Sequence, residues 1–158
     1  MGQAHERSVM PKKMKHKFLF EEAIWVAKGV FVDEGGNESP VVGETKITHG
    51  EEYWSNDGWM RIQSEESIEF KNTYQIVPFE ENADTTNWTS ENPAVGKMIG
   101  QFVLVGDTII SLYRTEDNLY VGTEYLKLED DDFYVNRGFV MKDNRKISSW
   151  AVGLRKKA

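Results

Sequence analysis

Glu124 and Arg137 are opposite charges set among Val, Ile, Tyr, Phe and Thr, and with Trp150 they form the constellation in this chain best suited to chemistry. Charged side chains are seldom buried unless paired, because a lone buried ion costs roughly several kcal/mol in practice. The two are therefore expected to pair, with Trp150 stacked on the guanidinium. Such an island has two uses. It can be an internal salt bridge that fixes strand register, or Arg137 and a tyrosine hydroxyl can anchor the polar head of an amphipathic ligand. The ligand's tail would then lie among Phe102, Leu126, Val135 and Phe139. The candidate ligand-binding set is Arg137, Glu124, Trp150, Tyr113, Tyr120, Phe102, Phe139 and Ser111.

Proton transfer is the competing chemistry. Glu124 or His49 would move the proton while Arg137 and a tyrosine hold a substrate carboxylate, as in a small lyase or isomerase. A paired arginine weakens Glu124 as a base, since a neighbouring cation favours the charged form. No cysteine is present, so thiol nucleophiles, thiolate metal sites and disulfides are excluded. His5 and His16 lie in a basic N-terminal arm and leave His49 alone in the body, without the spacing of a zinc site. The glycines around Gly35 and Gly96 carry neither a Walker lysine nor a dinucleotide fingerprint, and Asp130–Asp132 lacks the ligand spacing of a calcium loop. No metal and no cofactor is expected.

The elements that must position these residues can be counted. From Met98 to Lys156 five short strands are joined by turns at Gly106-Asp107, Glu116-Asp117, Asp130-Asp131 and Asp143-Asn144, the pattern of an antiparallel meander. With two central residues per turn, Leu104 opposes Ile109, Tyr113 opposes Tyr120, Glu124 opposes Arg137, and Arg137 opposes Trp150. One face then collects Met98, Phe102, Leu104, Ile109, Leu126, Leu128, Phe133, Val135, Phe139, Val152 and Leu154. Upstream, Phe18–Ala23 suits a helical turn and Ile24–Asp33 a long strand with a bend or close approach at Gly29. Further strands are expected at 41–54, 58–63 and 67–77, with Ser55-Asn-Asp-Gly as a hairpin that sets Trp54 opposite Trp59. The stretch 78–97, holding Trp88, has no sustained period and reads as a long loop over the barrel mouth, a lid or a surface crossover.

The chain has 158 residues, enough for one domain with a well-buried core. Its net charge of −7 divides into +4 over residues 1–17, +3 at Arg155–Lys157 and −14 over the body between them. The acidic body should repel nucleic acid. The basic arm could meet an anionic surface or the body of a neighbouring subunit, so a homo-oligomer stays open. No apolar run approaches the ~20 residues of a membrane span. Neither a secretory signal nor a myristoylation motif is legible at the start, and a cytoplasmic location is the expectation.

Trp25 and Gly29 in the first long strand, the meander, and Arg145, Trp150 and Arg155 near the end resemble the calycin group of lipocalin-like barrels. That group has a Gly-x-Trp in its first strand capped by a late basic residue. Arg145 or Arg155 would be the counterpart, although Ala23 stands where the glycine belongs. The resemblance implies a cup-shaped barrel that binds a small apolar or amphipathic molecule, with enzymes a minority use of the fold. Haem-binding barrels of this size use a histidine near the C-terminus, and none follows His49.

The expected protein is thus all-β: a flexible basic arm over 1–17, then a single antiparallel up-and-down barrel of about 8–10 strands over 18–158, lipocalin-like. Its expected function is non-enzymatic binding of a small hydrophobic or amphipathic ligand, carboxylated ligands included. A barrel enzyme acting on a carboxylated substrate and an interaction module with a filled core are the alternatives.

Overall fold

The computed structural model describes residues 16–92 and 95–158. Ten strands follow in chain order: β1 Ala23–Asp33, β2 Glu38–His49, β3 Trp54–Ile62, β4 Ile68–Ile76, β5 Thr85–Asn92, β6 Gly96–Val105, β7 Thr108–Thr115, β8 Tyr120–Asp130, β9 Phe133–Lys142 and β10 Arg145–Lys156. Each pairs antiparallel with its sequence neighbours, and β1 pairs with β10, so the sheet closes into an up-and-down barrel. Closure removes the free edges that an open sheet would expose.

The meander is where the sequence placed it, with two local shifts of register that decide the site. The β7–β8 turn uses four residues, because Thr115 Oγ1 bonds both Asp117 and the amide of Tyr120, and Asn118 sits in the left-handed region at φ 63°. Tyr113 therefore opposes Gly122, and Ser111 opposes Glu124. That is a shift of two residues, which leaves every side chain on the face expected. After β8 a bulge at Glu129 moves the β8–β9 register by one, so Glu124 opposes Gly138 and not Arg137. A one-residue slip turns a whole strand over. Tyr134, Asn136, Gly138 and Val140 face the interior, while Phe133, Val135, Arg137 and Phe139 face out. A second bulge, at Ile147, restores the original face for β10, where Trp150, Val152 and Leu154 point inward as expected.

Two upstream expectations are corrected. Ser55–Gly58 lies inside the continuous strand β3, so Trp54 and Trp59 are on one strand and are not cross-strand partners. The stretch expected as a long loop contains β5, whose Thr86, Trp88 and Ser90 are buried. Threonine-rich alternation suits a half-buried strand, and Trp88 belongs to the barrel wall and not to a lid.

One end of the barrel is stoppered. A turn at residues 17–21, closed by bonds from the amides of Phe20 and Glu21 to the Lys17 carbonyl, inserts Phe18 and Leu19 beneath Trp25 and Tyr134. Leu19 is held at φ 78°, a conformation that a branched side chain keeps only when its surroundings over-determine it. Its carbonyl is bonded to His49 Nε2 at 2.7 Å. His16, expected in the flexible arm, is buried, with Nδ1 2.8 Å from the Tyr134 hydroxyl and Nε2 3.0 Å from the Gly106 carbonyl. Tyr134 also accepts from the Lys17 amide, and burial raises its phenol to about 12. Residues 16 and 17 are thus part of the barrel; the rest of the expected arm, residues 1–15, lies outside the described residues.

Candidate functional site

Behind the stopper the interior is not filled. A cavity of about 360 Å³ runs from Phe18 to the opposite strand ends, where Phe31, Ile62, Val95, Tyr120 and Ser148 surround its mouth. This corrects the filled-core alternative. Most of the lining is apolar, with Val41, Met60, Phe70, Met98, Phe102, Leu126 and Val152 supplied by inward positions of six strands.

Glycines shape the wall. Trp88 opposes Gly100, Tyr113 opposes Gly122, and Trp150 opposes Gly138, each on a neighbouring strand. In all three pairs the ring lies where the glycine's missing Cβ would be. Aromatic cover of a strand glycine is a known stabilising device. Here it also places three rings along the cavity wall from β5 to β10.

Glu124 is the polar centre. Its Oε2 accepts from Trp150 Nε1 and from Asn136 Nδ2, each at 3.2 Å, and Asn136 uses its other amide proton on the Tyr125 carbonyl at 2.9 Å. Among the described residues no protein donor reaches Oε1 and no cation pairs with the carboxylate. Burial consequently holds Glu124 above the ordinary carboxyl range, and the bonds from Asn136 and Trp150 offset this only in part. Burial, with the nearby Glu124 second, also raises Tyr74 and Tyr113 far above the usual phenol range, so both hydroxyls remain protonated. The Tyr113 hydroxyl donates to the Phe139 carbonyl at 3.1 Å.

A pH signature follows from the raised carboxyl. Its contribution to stability is fully present below the unfolded-state value, ordinarily 4.5, and is lost as pH rises through the folded-state value. Glu124→Gln is therefore expected to gain stability relative to wild type as pH is raised from about 4 to about 8 in urea titrations. A wild-type-to-variant difference that stays constant over that range would contradict it.

Six of the eight expected site residues face the interior: Glu124, Trp150, Tyr113, Tyr120, Phe102 and Ser111. Arg137 and Phe139 do not. Both line a groove on the outer wall with Val30, Val32, Tyr125 and Ala151; Phe139 is 39% exposed, and Arg137 donates to its neighbour's carbonyl, Asn136 O, at 3.0 Å. The expected Glu124–Arg137 pair and its stacked Trp150 are thereby corrected, the cause being the bulge at Glu129. Arg137 cannot anchor a ligand inside the barrel. His49 stacks on Trp54 at 4.1 Å at the stoppered end, so Glu124, His49 and Arg137 do not share one site as the enzyme alternative requires. Neither late arginine covers Trp25: Arg145 bonds Glu34, and Arg155 lies over Phe133 on the outside. Trp25 is covered instead by Phe18 and Tyr134. Gly29 does mark a close backbone approach, since a Cβ there would overlap the Ala151 carbonyl.

Asn136, Trp88 and Tyr74 were not among the expected site residues. The first was hidden by the register slip, the second by reading β5 as a loop. Tyr74 was legible, because the strand expected at 67–77 alternates with Ile68, Phe70, Tyr74 and Ile76 on one face.

No protein-family model and no curated protein sequence matches this chain. Solved structures do share its fold. The S-type phycobiliprotein lyase CPES from Guillardia theta superposes with a TM-score of 0.66 at 9% identity, over 95% of this chain and 99% of that one. Rv2717c from M. tuberculosis superposes with a TM-score of 0.68 at 11% identity, again over 95% and 99% of the two chains. The chain is accordingly a closed ten-stranded antiparallel up-and-down barrel, similar in fold to both.

Proposed function

We propose that the barrel binds a small, mostly apolar molecule in its interior, entering at the end opposite the Phe18–Leu19 stopper. The carrying observation is the cavity itself: about 360 Å³, lined by rings and aliphatic side chains with one convergent polar cluster. Small-molecule sites run from ~300 to ~1,000 Å³ and have this composition. A protein whose interior served stability alone would gain by filling such a space, since lost packing costs roughly 24 cal/mol per Å³. The indole N–H of Trp88, buried and part of the lining, finds no acceptor among the described residues, which adds a second polar point for a ligand to satisfy.

Titration with the neutral fluorophore N-phenyl-1-naphthylamine tests this reading. Saturable binding near one equivalent is expected. Met60→Trp, which places a ring in the cavity, should weaken it at least about tenfold, or ~1.4 kcal/mol. Leu112→Trp, on the outer wall, should leave it unchanged. Absence of saturable binding, or equal binding by both variants, would defeat the proposal.

A further inference from the structure

The polar chemistry of the cavity has a sign. Its lining contains neither lysine, arginine nor histidine, and Glu124 is its one carboxylate on an inward strand position, Glu44 standing on an outward position of β2. Glu44 is engaged by Lys157 at 3.6 Å. Glu124 is engaged by no cation among the described residues, and its two donors both fall on Oε2. Those donors are themselves fully used: Trp150 has one N–H, and Asn136 spends its second amide proton on the Tyr125 carbonyl. The Tyr113 proton goes to the Phe139 carbonyl. Around Glu124 the cluster therefore presents acceptor capacity at Oε1, while the Trp88 N–H and the Tyr74 hydroxyl are neutral donors that bring no positive charge to the lining. A carboxylate placed there would meet like charge with few uncommitted donors, whereas a protonated nitrogen would supply both the missing hydrogen bond and the missing countercharge.

Resting on the interior-binding reading, we propose that the natural ligand carries a proton-bearing nitrogen, as a primary amine, amidine or protonated ring nitrogen, that bonds Glu124 Oε1 while its apolar body lies along the rings of Trp88, Tyr113 and Trp150. Lys142, at the mouth end of β9, lies over the Tyr120 ring at 5.4 Å.

The test uses three probes of one shape: 2-naphthylmethylamine, 2-naphthalenemethanol and 2-naphthoate, each measured by displacement of N-phenyl-1-naphthylamine at pH 7.5. In the wild-type protein the amine is expected to bind at least about tenfold tighter than the alcohol, and the carboxylate at least about tenfold weaker, each ~1.4 kcal/mol. Glu124→Gln should bring amine and alcohol within about threefold of each other while leaving alcohol binding intact, which also reports that the variant is folded. Lowering the pH toward 5 should weaken the amine and leave the alcohol unchanged, because protonation removes the countercharge. Equal amine and alcohol affinities in the wild type, or tighter carboxylate binding, would overturn this inference and leave interior binding standing. Failure of all three probes to displace a saturably bound fluorophore would overturn this inference alone, and absence of saturable fluorophore binding would overturn both. The wild-type comparison decides the matter even where the variant does not fold.

Discussion

Trp25→Ala is expected to remove about 3–5 kcal/mol of folding stability, the range for deleting a large aromatic side chain from a close-packed core. Trp25 is completely buried and meets Phe18 and Tyr134 edge-on, each at a ring-centroid distance of 5.5 Å. Its loss would leave a void and release the stopper that Phe18, Leu19 and the Tyr134 hydroxyl hold in place. For a domain of this length each kcal/mol moves the melting temperature by roughly 2–4 °C, so a fall of about 10 °C is expected. Leu112→Ala, 46% exposed on the outer wall, should change stability by no more than about 0.5 kcal/mol. Urea denaturation of both variants checks the contrast. A cost below about 1 kcal/mol for Trp25→Ala would show that the stoppered end is not packed as described.

Gly138→Ala should act at the centre of the site. The new methyl group would overlap the six-membered ring of the Trp150 indole and the Cβ of Glu124, so the indole must swing away and Nε1 must release the carboxylate. Overpacking of this kind costs about 1–3 kcal/mol. The same substitution in a Trp150→Ala background removes the nearer obstacle and leaves only the Glu124 Cβ, so its cost should fall by more than about 1 kcal/mol, within the range of coupling between contacting residues. Additive effects in the double-mutant cycle would mean that the indole does not lie across Gly138. Because the released carboxylate loses one of its two donors, Gly138→Ala should also raise the Glu124 carboxyl further.

These two tests bear on parts of the molecule that differed in how far the chain could be read from its sequence. The meander, its two-residue turns at Gly106-Asp107 and Asp143-Asn144, and the inward sides of β6, β7, β8 and β10 were legible, because the glycine-bearing and acidic turns fix which residues share a face from strand to strand. Strand β9 was not. Its run Phe133-Tyr-Val-Asn-Arg-Gly-Phe-Val is apolar on both faces, so alternation could not reveal the bulge at Glu129, and the second bulge at Ile147 hid the error by restoring β10. The price was Arg137, placed inside as an anion-binding anchor when it stands outside. A signal was present in Gly138: a glycine between Arg137 and Phe139 is what a strand needs when a neighbouring tryptophan lies across it. Strand β5 escaped notice because threonine, serine and asparagine serve turns as readily as strands, and only Trp88 spoke for burial. The turn at Phe18, by contrast, was legible as a turn but not as a stopper, since what it packs under comes from β1 and β9.

The outcome is a site with the polarity opposite to the one first read. With Arg137 outside, nothing basic lines the cavity, and Glu124 becomes its only unpaired charge among the described residues. Two donors on one oxygen orient that carboxylate, and burial raises its carboxyl above the ordinary range. A bound cation favours the charged carboxyl, so amine binding is expected to release a proton from this side chain.

The most direct measurement is a crystal structure of the protein grown with 2-naphthylmethylamine. The account predicts the naphthyl ring inside the barrel between Trp88 and Trp150, with its nitrogen within hydrogen-bond distance of Glu124 Oε1. An empty interior, or the amine seated only in the outer groove beside Arg137 and Phe139, would contradict it.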